Sequence, residues 1–230
     1  MKTKEDNSSP AGYLKKVMIA TPCAYGQVDM EYVSSLVETI KVAELNKIGI
    51  YPVFIGNDAL IQRCRNDLVK IAVESNVDAM IFIDADMEWH PSWVMSLIGR
   101  EEDVIGGTAR KKTDSMEAYA VKISDTTILD NGLVKCEGIG TGFLKLSAKA
   151  IAALWEASEP YNTERGECRM VFDVRIIDGE MHSEDIIVTA KLKSAGFDIW
   201  LDPNMTCGHV GTKMFYGDIL SFLNRINQSK

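Results

Sequence analysis

Ile81-Phe82-Ile83-Asp84-Ala85-Asp86-Met87 is a run of β-branched and aromatic residues that ends in two carboxylates one position apart. The apolar part reads as a strand buried on both faces. At the carboxyl end of such a strand in an open α/β sheet, side chains reach the crevice where ligands bind. Alternation along the strand predicts Asp84 and Asp86 on one side, with Ala85 turned away. Two acids so placed repel each other unless a cation lies between them. Hard oxygen ligands suit Mg²⁺ or Mn²⁺, and such an ion in turn neutralises a diphosphate. The alternative is a strand followed by a polar turn, where Asp is common.

Upstream, Val17 to Thr21 reads as a short buried strand that breaks at Thr21-Pro22, and apolar residues at helical spacing follow from Val33 to Ala43. The loop Pro22 to Gln27 is a candidate wall of the same crevice. Ile50 to Ile55 reads as a second strand, whose Pro52 points to an edge. Ile61, Cys64, Leu68, Ile71 and Ala72 form the buried face of the next helix, with Arg63, Arg65, Asn66 and Asp67 elsewhere around it. Arg65 and Asn66 fall in its early turns, where they can reach a nucleotide; the alternative is a solvated face.

Downstream, His90-Pro91-Ser92 opens a helix with proline at a first helical position. Asp103 to Gly107 reads as a strand entering a Gly-Gly turn, expected to neighbour the acidic strand. The basic run Arg110-Lys111-Lys112 follows at once and is a candidate phosphate contact, or simply solvated surface. From Glu117 the pattern changes to short alternating strands, with a hairpin signal at Asp130-Asn131-Gly132. Gly140, Thr141 and Gly142 lie in a glycine-rich stretch without dinucleotide spacing, which suits close approach of backbone to a sugar or acceptor. Ser147 is placed to cap a helix, and Tyr161 to Met170 reads as an irregular loop. Ser183-Glu184-Asp185 opens a helix that Gly196 ends, and its acids either do chemistry or complement the helix dipole. Phe197 to Asp202 alternates as a half-buried strand, after which the chain turns through Pro203 to His209, flanked by glycines.

The 230 residues suffice for one sizeable α/β domain, and 46% hydrophobic with 25% charged residues are ordinary globular values. A net charge of -8 argues against broad, sequence-independent nucleic-acid binding. No apolar run is long enough for a membrane span, and the start is neither a signal nor a transit peptide. Five scattered cysteines without CxxC spacing fit a reducing cytoplasm rather than a zinc site. Residues 1–16 read as a loose tail and 17–230 as one domain, divided into a parallel nucleotide-binding half (17–114) and an acceptor half (115–230) with partly antiparallel strands.

Taken in order, the Thr21-Pro22 strand end, Arg65-Asn66, Asp84-Ala85-Asp86, Gly140-Thr141-Gly142-Phe143, Ser183-Glu184-Asp185 and the late His209 resemble the GT-A nucleotide-sugar glycosyltransferases of the compact, family-2-like kind. The correspondence covers most of residues 17–211. The resemblance implies an α/β, Rossmann-like mixed sheet flanked by helices. It implies a nucleotide-sugar donor held by Thr21, Pro22, Arg65, Asn66, Asp84 and Asp86, and a Mn²⁺ or Mg²⁺ ion held by Asp84, Asp86 and His209. Asp185 would be the catalytic base, with Glu184 beside it. Gly140, Thr141, Gly142 and the basic run Arg110 to Lys112 would face the acceptor. Short chains of this kind also look similar to bacteriophage-encoded glycosyltransferases, for which modified DNA is the extreme case of an anionic acceptor. Two departures leave the acceptor open: the long carboxyl-terminal extension or membrane segment of many relatives is missing, and a second histidine, His182, sits near the acids. A nucleotidyltransferase and a non-catalytic carbohydrate-binding module are the competing readings. The first is weakened by the lack of Arg or Lys in Pro22 to Gln27.

Overall fold

The computed structural model describes residues 13–228, so most of the expected tail lies outside the described residues. Strand β1 (Lys15–Cys23) starts two positions before the expected Val17. Lys15 and Lys16 already pair with Ile48 and Gly49, and the Lys16 amide donates to the Asp78 carboxylate at 2.6 Å. Helix α1 (Met30–Leu45), strand β2 (Ile48–Gly56), helix α2 (Ile61–Glu74) and strand β3 (Ala79–Ile83) complete a parallel βαβαβ unit with β1 in its centre. β2 is the sheet edge, which is where Pro52, having no N–H to donate, is tolerated.

The next elements are β4 (Met87–Glu88), α3 (Pro91–Gly99) and β5 (Val104–Ala109). Gly106 and Gly107 lie inside β5 rather than in a turn. A Cβ at Gly106 would come within 2.4 Å of the Phe143 carbonyl oxygen, and one at Gly107 within 2.4 Å of the Met205 carbonyl oxygen. The two glycines therefore serve close approach of neighbouring backbones. β5 also does not adjoin β3. The antiparallel strand β9 (Phe143–Ser147) lies between them, pairing Phe82 with Leu144 on one side and Ile105 with Lys145 on the other.

Before β9 run β6 (Val121–Lys122), β7 (Val134–Cys136) and β8 (Gly138–Ile139). A turn does form at Gly132 (φ +81°), but its flanking strands do not make the expected hairpin. β6 pairs with β8, and β7 with β14 (Ile199–Val210). After β9, α4 (Ala148–Glu156) is capped by Ser147, whose hydroxyl accepts the Ala150 amide. The stretch expected to be irregular is a hairpin, β10 (Pro160–Thr163) with β11 (Gly166–Arg169). Its side chains mostly face solvent, so no burial alternation betrayed it. A second hairpin, β12 (Arg175–Ile177) with β13 (Glu180–His182), turns at Asp178-Gly179, both with positive φ. Helix α5 (Glu184–Ser194) follows, ending at Gly196 (φ +88°). β14 does not stop at Pro203; its register shifts between Leu201 and Thr206, and the strand continues to Val210. β15 (Met214–Phe215) and α6 (Ile219–Gln228) complete the described chain.

The main sheet runs β15-β14-β5-β9-β3-β1-β2. It is parallel in its first half and mixed in its second, the Rossmann-like α/β architecture that the sequence implied. Side-chain alternation divides the core between its two faces. Met80 and Phe82 of β3 join the cluster under α2, α4, α5 and α6; Ala79, Ile81 and Ile83 join the cluster under α1 and α3. All five β3 residues are buried, so the strand that carries the acids forward is clamped from both sides. Full burial of one such Ile or Phe side chain contributes roughly 1.5–3 kcal/mol. The five cysteines are buried free thiols.

Candidate functional site

The chain leaves β3 at Ile83 and turns over Ala85 and Asp86, with the Met87 amide donating to the Asp84 carbonyl at 3.2 Å. Strand alternation therefore does not position the two acids, and Ala85 is not turned away. Asp84, Ala85 and Asp86 all line one cleft of about 420 Å³, together with Pro22, Tyr25, Arg65, Lys112 and Glu184. Close packing fixes the turn. The Asp84 amide donates to the Gly142 carbonyl at 3.1 Å, and a Cβ at Gly142 would lie 3.1 Å from Asp84 Oδ2.

Arg65 joins the two acidic motifs. It sits on α2, is 4% exposed, and belongs to the buried face together with Asn66 and Asp67, contrary to the helical reading that put all three elsewhere. Its Nη2 donates to Asp84 Oδ1 at 3.0 Å and its Nη1 to Glu184 Oε1 at 2.7 Å, with Asp185 Oδ1 3.8 Å from Nη1. Burial alone would depress the guanidinium pKa; Asp84, Asp185 and Glu184 outweigh it and hold the value above the ordinary one. Among the described residues Arg65 Nε has no hydrogen-bond partner, which commits the group to its terminal nitrogens.

Asp185 stands at a partition. Its Oδ1 accepts the Thr141 hydroxyl at 2.6 Å and the Thr141 amide at 3.3 Å. Burial pushes its carboxyl pKa up, against the lowering pull of Arg65 and Thr141. Glu184 lines the first cleft, whereas Asp185 lines a second cavity of about 720 Å³ with Gly140, Tyr119, Val121 and Lys111. Ser183 occupies the N-cap position of α5 without a side-chain capping bond.

Asp86 and His209 meet through strand pairing. β4 runs antiparallel to β14 with Met87 opposite His209, and the Val210 amide donates to the Asp86 carbonyl at 2.8 Å. His209 Nε2 lies 3.5 Å from Asp86 Oδ2, and Nδ1 lies 2.9 Å from the Arg110 carbonyl oxygen. A carbonyl can only accept, so Nδ1 carries a proton and donates it there, which turns Nε2 toward the carboxylate oxygen. Here the Lys112 ammonium bonds Asp86 Oδ2. Burial opposes the charge on Asp86, but His209 and Lys112 outweigh it and keep its pKa below the ordinary value. A carboxylate oxygen and an imidazole nitrogen, the latter oriented by a backbone carbonyl, would supply two of the ligands a Mn²⁺ ion takes, the rest having to come from outside the protein. Asp84 is engaged by Arg65, and among the described residues no three His, Cys, Asp or Glu side chains gather as a ligand cluster.

Other expected residues lie apart from these contacts. Asn66 does not face the cleft; its amide is used up at both ends by the Phe172 backbone, accepting from N at 2.7 Å and donating to O at 3.2 Å. Thr21 is fully buried and bonds the Tyr32 hydroxyl, leaving Pro22 to line the cleft. The basic run is split: Lys112 turns to Asp86 in the first cleft, Lys111 lines the second, and Arg110 bonds the Thr113 carbonyl. His182 ends β13, opposite Arg175. Sequence reasoning missed Lys112's pairing with Asp86 as well as the bridging of both acidic motifs by Arg65. Only the alternation of opposite charges between Asp86 and the basic run hinted at the former.

No protein-family model and no curated protein matches the chain. Among solved structures, A197 from STIV is similar over 88% of this chain and 94% of its own, at 13% identity and a TM-score of 0.55. That likeness is one of fold: a Rossmann-like α/β class is what the structure and the comparison define together. Two further structures align with lower scores and carry no argument about chemistry here. Mannose-1-phosphate geranyltransferase from Thermus thermophilus aligns over 63% of this chain and 61% of its own (11% identity, TM-score 0.40). CMP:2-keto-3-deoxy-manno-octonic acid synthetase complexed with CTP aligns over 94% and 98% (11% identity, TM-score 0.45). Among the described residues, no helix is long and apolar enough to cross a membrane.

Proposed function

We propose that the chain is a glycosyltransferase that moves a sugar from a nucleotide-sugar donor to an acceptor hydroxyl with inversion, using a divalent cation. One observation carries the reading: two acidic motifs about a hundred positions apart share the buried Arg65, with Asp84 and Glu184 in one cleft and Asp185 lining the next cavity. A donor in the first cleft and an acceptor in the second would meet at that partition.

In this scheme Asp86 and His209 hold Mn²⁺ or Mg²⁺, which supplies Lewis-acid neutralisation of the departing diphosphate. Asp84, held by Arg65, is placed for the donor's ribose. Asp185 accepts the proton of the acceptor hydroxyl as that oxygen attacks the anomeric carbon, and the bond from that carbon to the diphosphate breaks with its electron pair going to the leaving group. Burial suits Asp185 to this role, because a raised carboxyl pKa makes a stronger base. The hydrogen bonds to its carboxylate among the described residues fall on Oδ1, so Oδ2 remains for the proton. Lys111 is the member of the basic run on the acceptor side, and an anionic acceptor remains part of the proposal on its strength alone.

The test is a panel of nucleotide sugars assayed for Mn²⁺-dependent binding and slow hydrolysis, with Asp185→Asn beside the wild type. We expect donor binding to survive in the variant while transfer falls by roughly 10²- to 10⁴-fold, the range for a lost acid–base group. Retention of anomeric configuration, or full transfer by Asp185→Asn, would overturn the scheme.

A further inference from the structure

We propose that Lys112 is an internal counter-cation of Asp86, closing the Asp86–His209 pair to a divalent ion until a nucleoside diphosphate draws the ammonium onto its own phosphates. The inference rests on the reading of Asp86 and His209 as cation ligands. It adds that metal and nucleotide bind as a linked pair, with Lys112 as the link.

Three observations support it. The Lys112 ammonium bonds Oδ2 of Asp86, the same oxygen that His209 Nε2 faces at 3.5 Å, so ammonium and metal would compete for one atom. The lysine is delivered there by its backbone: the Lys111 amide is tied to the Ala118 carbonyl at 2.8 Å, and the side chain passes over Gly211, where a Cβ would stand 3.2 Å from Lys112 Cδ. Its side chain is also 35% exposed and lines the first cleft, which leaves it room to swing toward a ligand there. Arg65, by contrast, is buried and committed to three carboxylates, so Lys112 is the cation of this cleft that can change partners.

Competition at one oxygen makes metal binding weak while the cleft holds no nucleotide. A diphosphate offers the ammonium another anion, releases Asp86, and supplies oxygens of its own to the ion. By linkage the ion must strengthen nucleotide binding by the same factor. Neutralising Lys112 removes the competitor, so the ion should bind without nucleotide and the mutual enhancement should shrink.

The experiment measures Mn²⁺ binding by electron paramagnetic resonance and by calorimetry, alone and with UDP, GDP, CDP or ADP, for wild type, Lys112→Met and Lys112→Ala. Thermal unfolding confirms that the variants fold. The expected result is Mn²⁺ affinity in the absence of nucleotide about tenfold or more higher in both variants, within the usual range of coupling between sites, with the nucleotide's effect on it reduced. His209→Ala in the Lys112→Met background should remove the gain. Equal Mn²⁺ affinity in wild type and both variants, with wild type still binding the ion in the presence of nucleotide, overturns the counter-cation role and leaves the cation reading standing. Absence of Mn²⁺ binding in every protein, with or without nucleotide, refutes the cation reading and this inference with it.

Discussion

Arg65→Met replaces a guanidinium by an apolar side chain of similar length and leaves Asp84, Glu184 and Asp185 facing one another across the space it filled. The Arg65 side chain is 5% exposed, and the three carboxylate side chains are each less than a third exposed, at 29%, 17% and 30%. Removing one partner from a buried ion cluster costs about 3–5 kcal/mol, because the remaining charges keep their desolvation without their compensation. In a domain of this size 1 kcal/mol shifts Tm by about 2–4 °C, so the loss should read as roughly 6–20 °C. The deficit must depend on pH with a definite sign. Without Arg65 the folded carboxyls bind protons more tightly than unfolded ones, so the deficit is present at neutral pH and shrinks as pH falls through their raised values. Arg65→Lys, which keeps a charge but not the two-pronged contact, should fall between the two. Urea unfolding at pH 8 and pH 5 checks all three proteins. A Met variant within about 1 kcal/mol of wild type, or one whose deficit is unchanged between the two pH values, would refute the view that Arg65 holds the acidic cluster together.

Other perturbations probe separate parts of the structure. Transfer by the wild type should rise with pH through the pKa of Asp185, an acid limb displaced above the ordinary carboxylate range by burial, and a pH–rate profile measures it. Asn66→Ala orphans the Phe172 amide and carbonyl in the core, and chemical denaturation should show a loss of about 1–3 kcal/mol for each, with donor affinity little changed in protein that remains folded. Gly107→Ala forces a Cβ to within 2.4 Å of the Met205 carbonyl oxygen between central strands, and thermal unfolding should show a loss of about 1–3 kcal/mol or more.

The parts of the fold that could be read from sequence are those in which burial and chain order coincide. β3 is apolar throughout because both its faces are covered, and the break from grease to acid at Asp84 marks the strand's end whatever the rest of the chain does. The helix starts at Pro91, Ser147 and Ser183 follow from local chemistry in the same way. The misreadings share a cause of another kind. Gly106-Gly107 looks like a turn unless one knows that β9 and β14 pass within van der Waals distance on either side. β9 itself comes nearly forty positions after β5 and inserts between β5 and β3, a topology that no local periodicity encodes. The β10–β11 hairpin lies on the surface, where strand alternation has no dry face to write itself on. Asp178-Gly179 did carry a legible signal, since both residues take the positive φ that an Asp-Gly hairpin turn requires.

The candidate site was legible as a set of acids and not as a circuit. Each motif appeared alone as an acid pair at an element's end, and each invited the same local explanation of dipole or turn. Their coupling depends on Arg65, which the helical pattern assigned to a polar face because charged residues are rarely buried. The reverse inference is the physically informative one. An arginine buried in the middle of an α/β fold requires several anions close by, and Asp84 and Glu184 meet that requirement from 19 and 119 positions away in the chain. Burying Arg65 is therefore possible only when the β3 turn and the α5 N-terminus have both arrived, and each acidic motif is held in the cleft by the same cation. Lys112 differs in kind. Its partner is a single, partly exposed carboxylate at a cleft surface, where the pairing stabilises little. Arg65 thus assembles the acids, whereas Lys112, on the proposal made above, is the cation a charged ligand would draw away.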